Sequence, residues 1–80
     1  MTPTAIRDHL RKEPFQPIAV HLSDGASYEI RHPENAAISV AELAIAIGGN
    51  DEQVATQMVY CDPQHVTRIE PLPRTPTRKA

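Results

Sequence analysis

Residues 14 to 34, PFQPIAVHLSDGASYEIRHPE, constrain the fold of this chain more than any other stretch. Two apolar runs, Ile18-Ala19-Val20-His21-Leu22 and Ala26-Ser27-Tyr28-Glu29-Ile30, flank an Asp24-Gly25 pair, which is a hairpin signal. A two-residue Asp24-Gly25 turn would set Leu22 against Ser27 and Val20 against Glu29, mixing apolar and polar side chains on one face. A three-residue loop, Ser23-Asp24-Gly25, shifts the parity by one position. Leu22 then faces Ala26, Val20 faces Tyr28 and Ile18 faces Ile30, which makes one continuous apolar face. That register requires a type I turn with Gly25 left-handed in a bulge, a conformation glycine adopts at little steric cost. The expected buried residues are Ile18, Val20, Leu22, Tyr28 and Ile30.

Eighty residues make one small domain, expected over 1–71, with 72–80 as a Pro-rich basic tail. A chain this short buries only roughly 60% of its unfolded surface. With 4% aromatic residues and no Trp, its core must be mostly Ile, Val, Leu and Ala, and self-association would help it. The formal net charge is −2, but Arg74, Arg78 and Lys79 lie in the last seven positions. Residues 1–73 therefore carry five basic against ten acidic side chains, a net −5. Such a body is disfavoured as a nucleic-acid binder, because Lys and Arg neutralising phosphates supply most non-specific affinity. The single Cys61 has no internal disulfide partner, which suits a reducing cytosol. No apolar run reaches about 18 residues and no signal-peptide layout is present, so the expectation is a cytoplasmic protein without a membrane span.

Residues 2–13 read as a helix capped by Thr2, with Pro3 at the first helical position and Pro14 as the stop. Ile6 and Leu10 form its apolar stripe, and Phe15 is expected to tuck inward. Pro17 lacks an N–H and suits the start of an edge strand, and Pro33 ends the second strand. The middle of the chain supports two readings. Ser39-Val40-Ala41-Glu42 matches a capping box, with Val40, Leu43, Ala44 and Ile47 on one helical face and Gly48-Gly49 as a stop. Alternatively, Ala37-Ile38-Ser39-Val40 is a third strand and Leu43-Ala44-Ile45-Ala46-Ile47 a fourth. Periodicity does not separate the two for so short an apolar run. Residues 48–56 read as a loop, Gln57-Met58-Val59-Tyr60-Cys61 as a strand and Asp62-Pro63-Gln64 as a tight, 3₁₀-like turn. His65 to Ile69 alternates again, but Val66 and Ile69 are out of phase, which predicts a bend or bulge. The whole is mainly β: an N-terminal helix followed by a small, strongly bent antiparallel sheet or barrel.

Arg11-Lys12-Glu13-Pro14-Phe15-Gln16-Pro17, then Val20-His21-Leu22-Ser23-Asp24-Gly25, then His32-Pro33-Glu34, resembles a family of short uncharacterised bacterial proteins of planctomycete type. The likeness extends to His65–Glu70 and covers roughly residues 6–70. It implies a small β-rich fold, which favours the strand reading of the middle segment, and it carries no activity. A second resemblance is architectural: an N-terminal helix and five bent strands resemble a five-stranded Sm/SH3-like barrel. Gln57-Met58-Val59-Tyr60 is similar to the Q-M-V-Y of the bacterial RNA-chaperone branch of Sm-like barrels. That motif continues with Lys-His, whereas Cys61 and Asp62 follow here, so His65 substitutes only after an insertion. The resemblance implies edge-to-edge oligomers and, as an alternative function, RNA binding.

Candidate chemistry is sparse. The hairpin register sets His21 opposite Ser27, which leaves His21 and His32 about 10 Å or more apart at roughly 3.3 Å per residue. No H-x₃-H or C-x₂-C spacing occurs, so neither a metal nor a cofactor is expected. Cys61 and His65 straddle a turn containing Pro63 with no third orienting group, which makes Cys61 a small strand hydrophobe rather than a nucleophile. The carboxylates Glu29, Glu34, Glu42, Asp51 and Glu52 are scattered, so no acid–base pair is evident and the chain is not expected to be an enzyme. The hairpin's outer face carries His21, Ser27, Glu29 and Arg31, a solvated sheet face or a polar partner surface. The residues singled out for a partner or RNA contact are His21, Arg31, Tyr60 and His65. An exposed first- or fifth-strand edge is a further route to a partner or to self-association. Pro73-Arg74-Thr75-Pro76-Thr77-Arg78 fits a P-x-x-P-x-R ligand pattern for SH3-type domains, a short and common one.

Overall fold

The computed structural model describes residues 1–48 and 55–73. The segment 49–54 and the tail 74–80 lie outside the described residues, and with them Asp51, Glu52 and most of the SH3-ligand pattern. The order is α1 (Pro3–Leu10), β1 (Ile18–Leu22), β2 (Ser27–Ile30), a 3₁₀ turn (Pro33–Asn35), β3 (Ala36–Ile38), β4 (Leu43–Ile47), β5 (Gln57–Cys61), a second 3₁₀ turn (Pro63–His65) and β6 (Val66–Pro71).

Helix α1 starts as its sequence dictates. Thr2 accepts a hydrogen bond from Ala5 N–H through its side chain, and Pro3 occupies the first turn. It stops three residues earlier than expected, with Arg11 N–H donating to Arg7 O. Arg11, Lys12 and Glu13 are all exposed, so a further turn would bury nothing, and Pro14 disfavours helical backbone at Glu13. Ile6 and Leu10 are buried, as the stripe required.

The β1–β2 hairpin has the bulged register. Ile18 pairs with Ile30, Val20 with Tyr28 and His21 with Ser27. The loop closes with Leu22 N–H donating to Ala26 O at 2.8 Å and Gly25 N–H to Leu22 O at 3.0 Å, and Gly25 has φ +92°. Ile18, Val20 and Ile30 are buried, while Leu22 and Tyr28 are half-buried against the same cluster.

The middle segment is two strands, not a helix. β3 and β4 pair antiparallel, with Ala36 opposite Ile45 and Ile38 opposite Leu43. The capping-box residues still do capping chemistry, but inside a hairpin turn. Ser39 Oγ accepts from Ala41 N–H at 3.1 Å and Glu42 N–H at 3.0 Å, and Ser39 N–H donates to Glu42 O at 2.8 Å. Local side-chain bonds of this kind serve a turn as well as a helix start.

The strands form two three-stranded antiparallel sheets, ordered β2-β1-β6 and β3-β4-β5. The mainly β expectation stands, but its five-stranded barrel alternative is wrong: among the described residues neither sheet closes on itself. The physical reason lies at two prolines. Pro33 and Pro63 each begin a 3₁₀ turn, and at each one the chain leaves one sheet for the other instead of folding back on its last strand. Strand β6 consequently returns to β1, and β1 becomes the central strand of its sheet. That overturns the expectation of β1 as an edge. Pro17 lies just before the strand, where its carbonyl accepts from Leu72 N–H at 2.8 Å and its missing donor costs nothing. The expected bulge is present, as a register shift between His21 and Leu22 where Arg68 and Val66 oppose them. Both sheets and the helix share one buried cluster: Ile6 and Leu10 from α1; Ile18, Val20, Ile30 and Val66 from the first sheet; Leu43, Ile45 and Cys61 from the second.

Candidate functional site

The four singled-out residues occupy three places. His21 lies on the first sheet, where its Nε2 and Glu70 Oε1 are 2.9 Å apart. Arg31 lies past the end of β2 and donates to Glu29 Oε1 at 2.9 Å, next to His32, along an open cavity of about 430 Å³ that runs to Ile47 and Gly48. Each is thus engaged with a carboxylate of its own sheet, His21 by a hydrogen bond to Glu70 and Arg31 by an exposed ion pair with Glu29.

Tyr60 and His65 are brought together. They line one open cleft of about 350 Å³ with Ser23, Asp24, Cys61 and Asp62. Its walls come from distant parts of the chain: the β1–β2 loop on one side, and the end of β5 with the following turn on the other. Two bonds clamp them, Ser23 N–H to His65 O at 2.8 Å and Ser23 Oγ with His65 Nδ1 at 3.0 Å. Each carboxylate is held by its own turn: Asp24 Oδ1 accepts from Ala26 N–H and Asp62 Oδ1 from Gln64 N–H, both at 2.9 Å.

The chemistry of this cleft is limited by its sign. Ser23 and His65 are a hydroxyl–imidazole pair, but Asp24 and Asp62 line the same space and would repel a developing oxyanion. The Cys61 thiol is buried and its pKa is raised, first by burial and then by the Asp24 carboxylate, which is the opposite of what a thiolate nucleophile needs. Among the described residues, no three His, Cys, Asp or Glu side chains converge as a metal-binding group, and no helix is long and apolar enough to cross a membrane.

The wall that carries Tyr60 is strand β5, and among the described residues β5 has a strand neighbour on one side only, β4. Gln57, Val59 and Cys61 alternate toward the core, with Val59 packed against it, while Met58 and Tyr60 point away and remain 47% and 62% exposed. The sequence motif points to Tyr60 alone; Met58, two positions earlier on the same face, is a further exposed residue that the alternation of β5 makes legible. Glu70 and Ser23 as the partners of His21 and His65 were not legible, because both follow from how β6 and its preceding turn dock on the first hairpin.

Compared with protein-family models, with curated proteins and with solved structures, the chain matches none.

Proposed function

We propose that this protein is a non-catalytic interaction and self-association module that works by strand addition at the free edge of β5. One observation carries the reading: Gln57–Cys61 is a regular strand with one neighbour among the described residues, and its five residues include no charge, proline or glycine. Open edges of soluble proteins are normally blunted by charges, prolines, bulges or extreme shortness. The other three edges here have such devices. β2 carries Glu29, β6 carries Arg68 and Glu70 and ends in Pro71, and β3 is only three residues long. An unguarded edge flanked by two exposed apolar side chains suits strand addition, in which main-chain bonds supply affinity and alternate side chains supply specificity.

Size-exclusion chromatography with light scattering tests this. The wild-type chain is expected to associate, and Met58→Lys/Tyr60→Lys to abolish association without lowering the melting temperature. A wild-type chain that stays monomeric at high concentration and binds no other protein overturns the reading.

The RNA-binding alternative has Gln57–Tyr60 and the shared Tyr60–His65 cleft in its favour. Asp24 and Asp62 in that cleft oppose it, since phosphates require cations there. A gel shift with uridine-rich or adenine-rich RNA at low salt discriminates; no shift ends the RNA reading.

A further inference from the structure

Strand β5 is self-complementary in one register, and we propose that its occupant is β5 of a second copy of this chain, running antiparallel about a two-fold axis through Val59. The inference rests on the strand-addition reading above and adds to it the partner and the register.

Parity restricts the choice. An antiparallel partner keeps both apolar inner faces on the same side only if a residue, not a peptide bond, lies on the axis; a one-residue slip turns one sheet over. Three such centres are interior residues of β5, with strand on both sides of the axis. Centring on Tyr60 sets Met58 against Asp62 of the second copy, placing a carboxylate on an apolar side chain. Centring on Met58 sets Met58 against Met58 of the second copy but leaves each Tyr60 opposite Thr56, so the larger exposed apolar side chain has no apolar residue directly across from it. Centring on Val59 uses all five strand residues. Met58 then opposes Tyr60 of the second copy, and the symmetric contact repeats it, so the two large exposed side chains of β5 cover each other twice. Thioether–aromatic pairs and directly opposed cross-strand pairs are both favourable.

The other face agrees. Val59 meets Val59 of the second copy, beside an inner face already packed on the core by Ile45, Leu43 and Cys61. Gln57 meets Cys61. The five paired residues carry no charge, so no like charges oppose directly across the axis, and the flanking Asp62 faces Thr56 rather than another acid. The contact is isologous and closed, as a two-fold interface must be, and it joins two three-stranded sheets into one of six strands, β3-β4-β5-β5-β4-β3. With five residues per edge the dimer is concentration-dependent.

Two measurements test the register. In a Cys61→Ala background, Met58→Cys and Tyr60→Cys chains are mixed and oxidised. The two different positions are directly opposed across the axis, whereas like positions are diagonal and about 7–8 Å apart, beyond easy disulfide reach. Cross-linking of Met58→Cys to Tyr60→Cys is expected to exceed either like-with-like product at least fivefold; equal yields, or like-with-like products in excess, overturn the register. On exposed positions that leave the core intact, Met58→Lys/Tyr60→Glu places opposite charges across the axis and should dimerise within threefold of the wild type. Met58→Glu/Tyr60→Glu places like charges there and should weaken the dimer at least tenfold; equal weakening in both overturns the inference. Failure of the broader reading looks different. If the wild type is monomeric yet a captured protein is lost with Met58→Glu/Tyr60→Glu, self-pairing falls and strand addition stands. If there is neither association nor capture, both fall.

Discussion

Ser23 and His65, 42 positions apart, are joined twice, backbone N–H to carbonyl at 2.8 Å and hydroxyl to imidazole Nδ1 at 3.0 Å. These bonds fasten the tip of the first hairpin to the turn that carries the chain from the second sheet back to the first. They do by polar contact at the rim what the buried cluster does inside.

The two bonds should be separable. Ser23→Ala removes the exposed side-chain bond and keeps the backbone one, so it should cost about 0.5–1 kcal/mol in urea unfolding. Ser23→Pro also removes the N–H, and should cost at least about twice as much as Ser23→Ala. Equal midpoints for the two variants would mean that the backbone clamp contributes nothing.

Gly25 and His21 test the hairpin. Gly25 has φ +92°, and a Cβ there would meet no atom within 4 Å, so the penalty for a side chain is backbone strain alone. A β-branched residue in that conformation costs on the order of 1–3 kcal/mol. His21→Ala loses one exposed pair with Glu70, which contributes roughly 0–1 kcal/mol. Gly25→Val should therefore lower the melting temperature well below that of His21→Ala, with Gly25→Asn in between because Asn tolerates positive φ. Comparable melting temperatures for the Val and His21 variants would refute the bulged turn.

That turn is also where sequence reading worked best. The register of the first hairpin followed from parity, because only one alignment of Ile18, Val20 and Leu22 with Tyr28 and Ile30 makes a single apolar face. Nothing comparable governs closure of a sheet. The 3₁₀ turn at Pro63 is local to β5 and β6 and legible in the sequence, but whether those strands pair or separate into two sheets is decided by the free flank of β1, some 45 residues away. The same holds for the cleft. Tyr60 and His65 stand out singly through the resemblance of Gln57–Tyr60 to an Sm-like motif, but what brings Asp24 alongside them, and gives the cleft its acidic sign, is the docking of a loop some 40 residues away.

Ser39 shows the other limit, a local signal with two structural uses. Its Oγ accepts from Ala41 N–H and Glu42 N–H, bonds that fit a helix start and here tighten the β3–β4 turn. Ser39→Ala should cost about 1 kcal/mol, comparable to losing a helix cap. Ser39→Asp should restore most of it, since a carboxylate accepts the same two N–H groups; circular dichroism should show β signal and no gain of helix in either variant. A rise in helical signal on Ser39→Asp would mean that the segment retains its capping-box alternative.

Cys61 gives the pH dependence. Its thiol pKa is raised in the folded chain, first by burial and second by Asp24, so the folded state holds the proton more tightly than the unfolded one. The sign follows from linkage. The stabilisation is fully present below the ordinary thiol range, and it is lost as pH rises through that range toward the raised folded value, because only the unfolded chain then gains by ionising. Alkaline urea titrations of the wild type should therefore show a fall in stability that Cys61→Ala lacks, on top of the cost of the substitution itself. Asp24→Asn removes the second cause and leaves the first, so it should narrow the window without closing it. The same two causes should make Cys61 slow to react with iodoacetamide at neutral pH in the folded chain and fast in denaturant, with a modest gain in rate for Asp24→Asn. A folded-state rate equal to the denatured one would show that the thiol is neither buried nor shielded, and would reopen its assignment to the core.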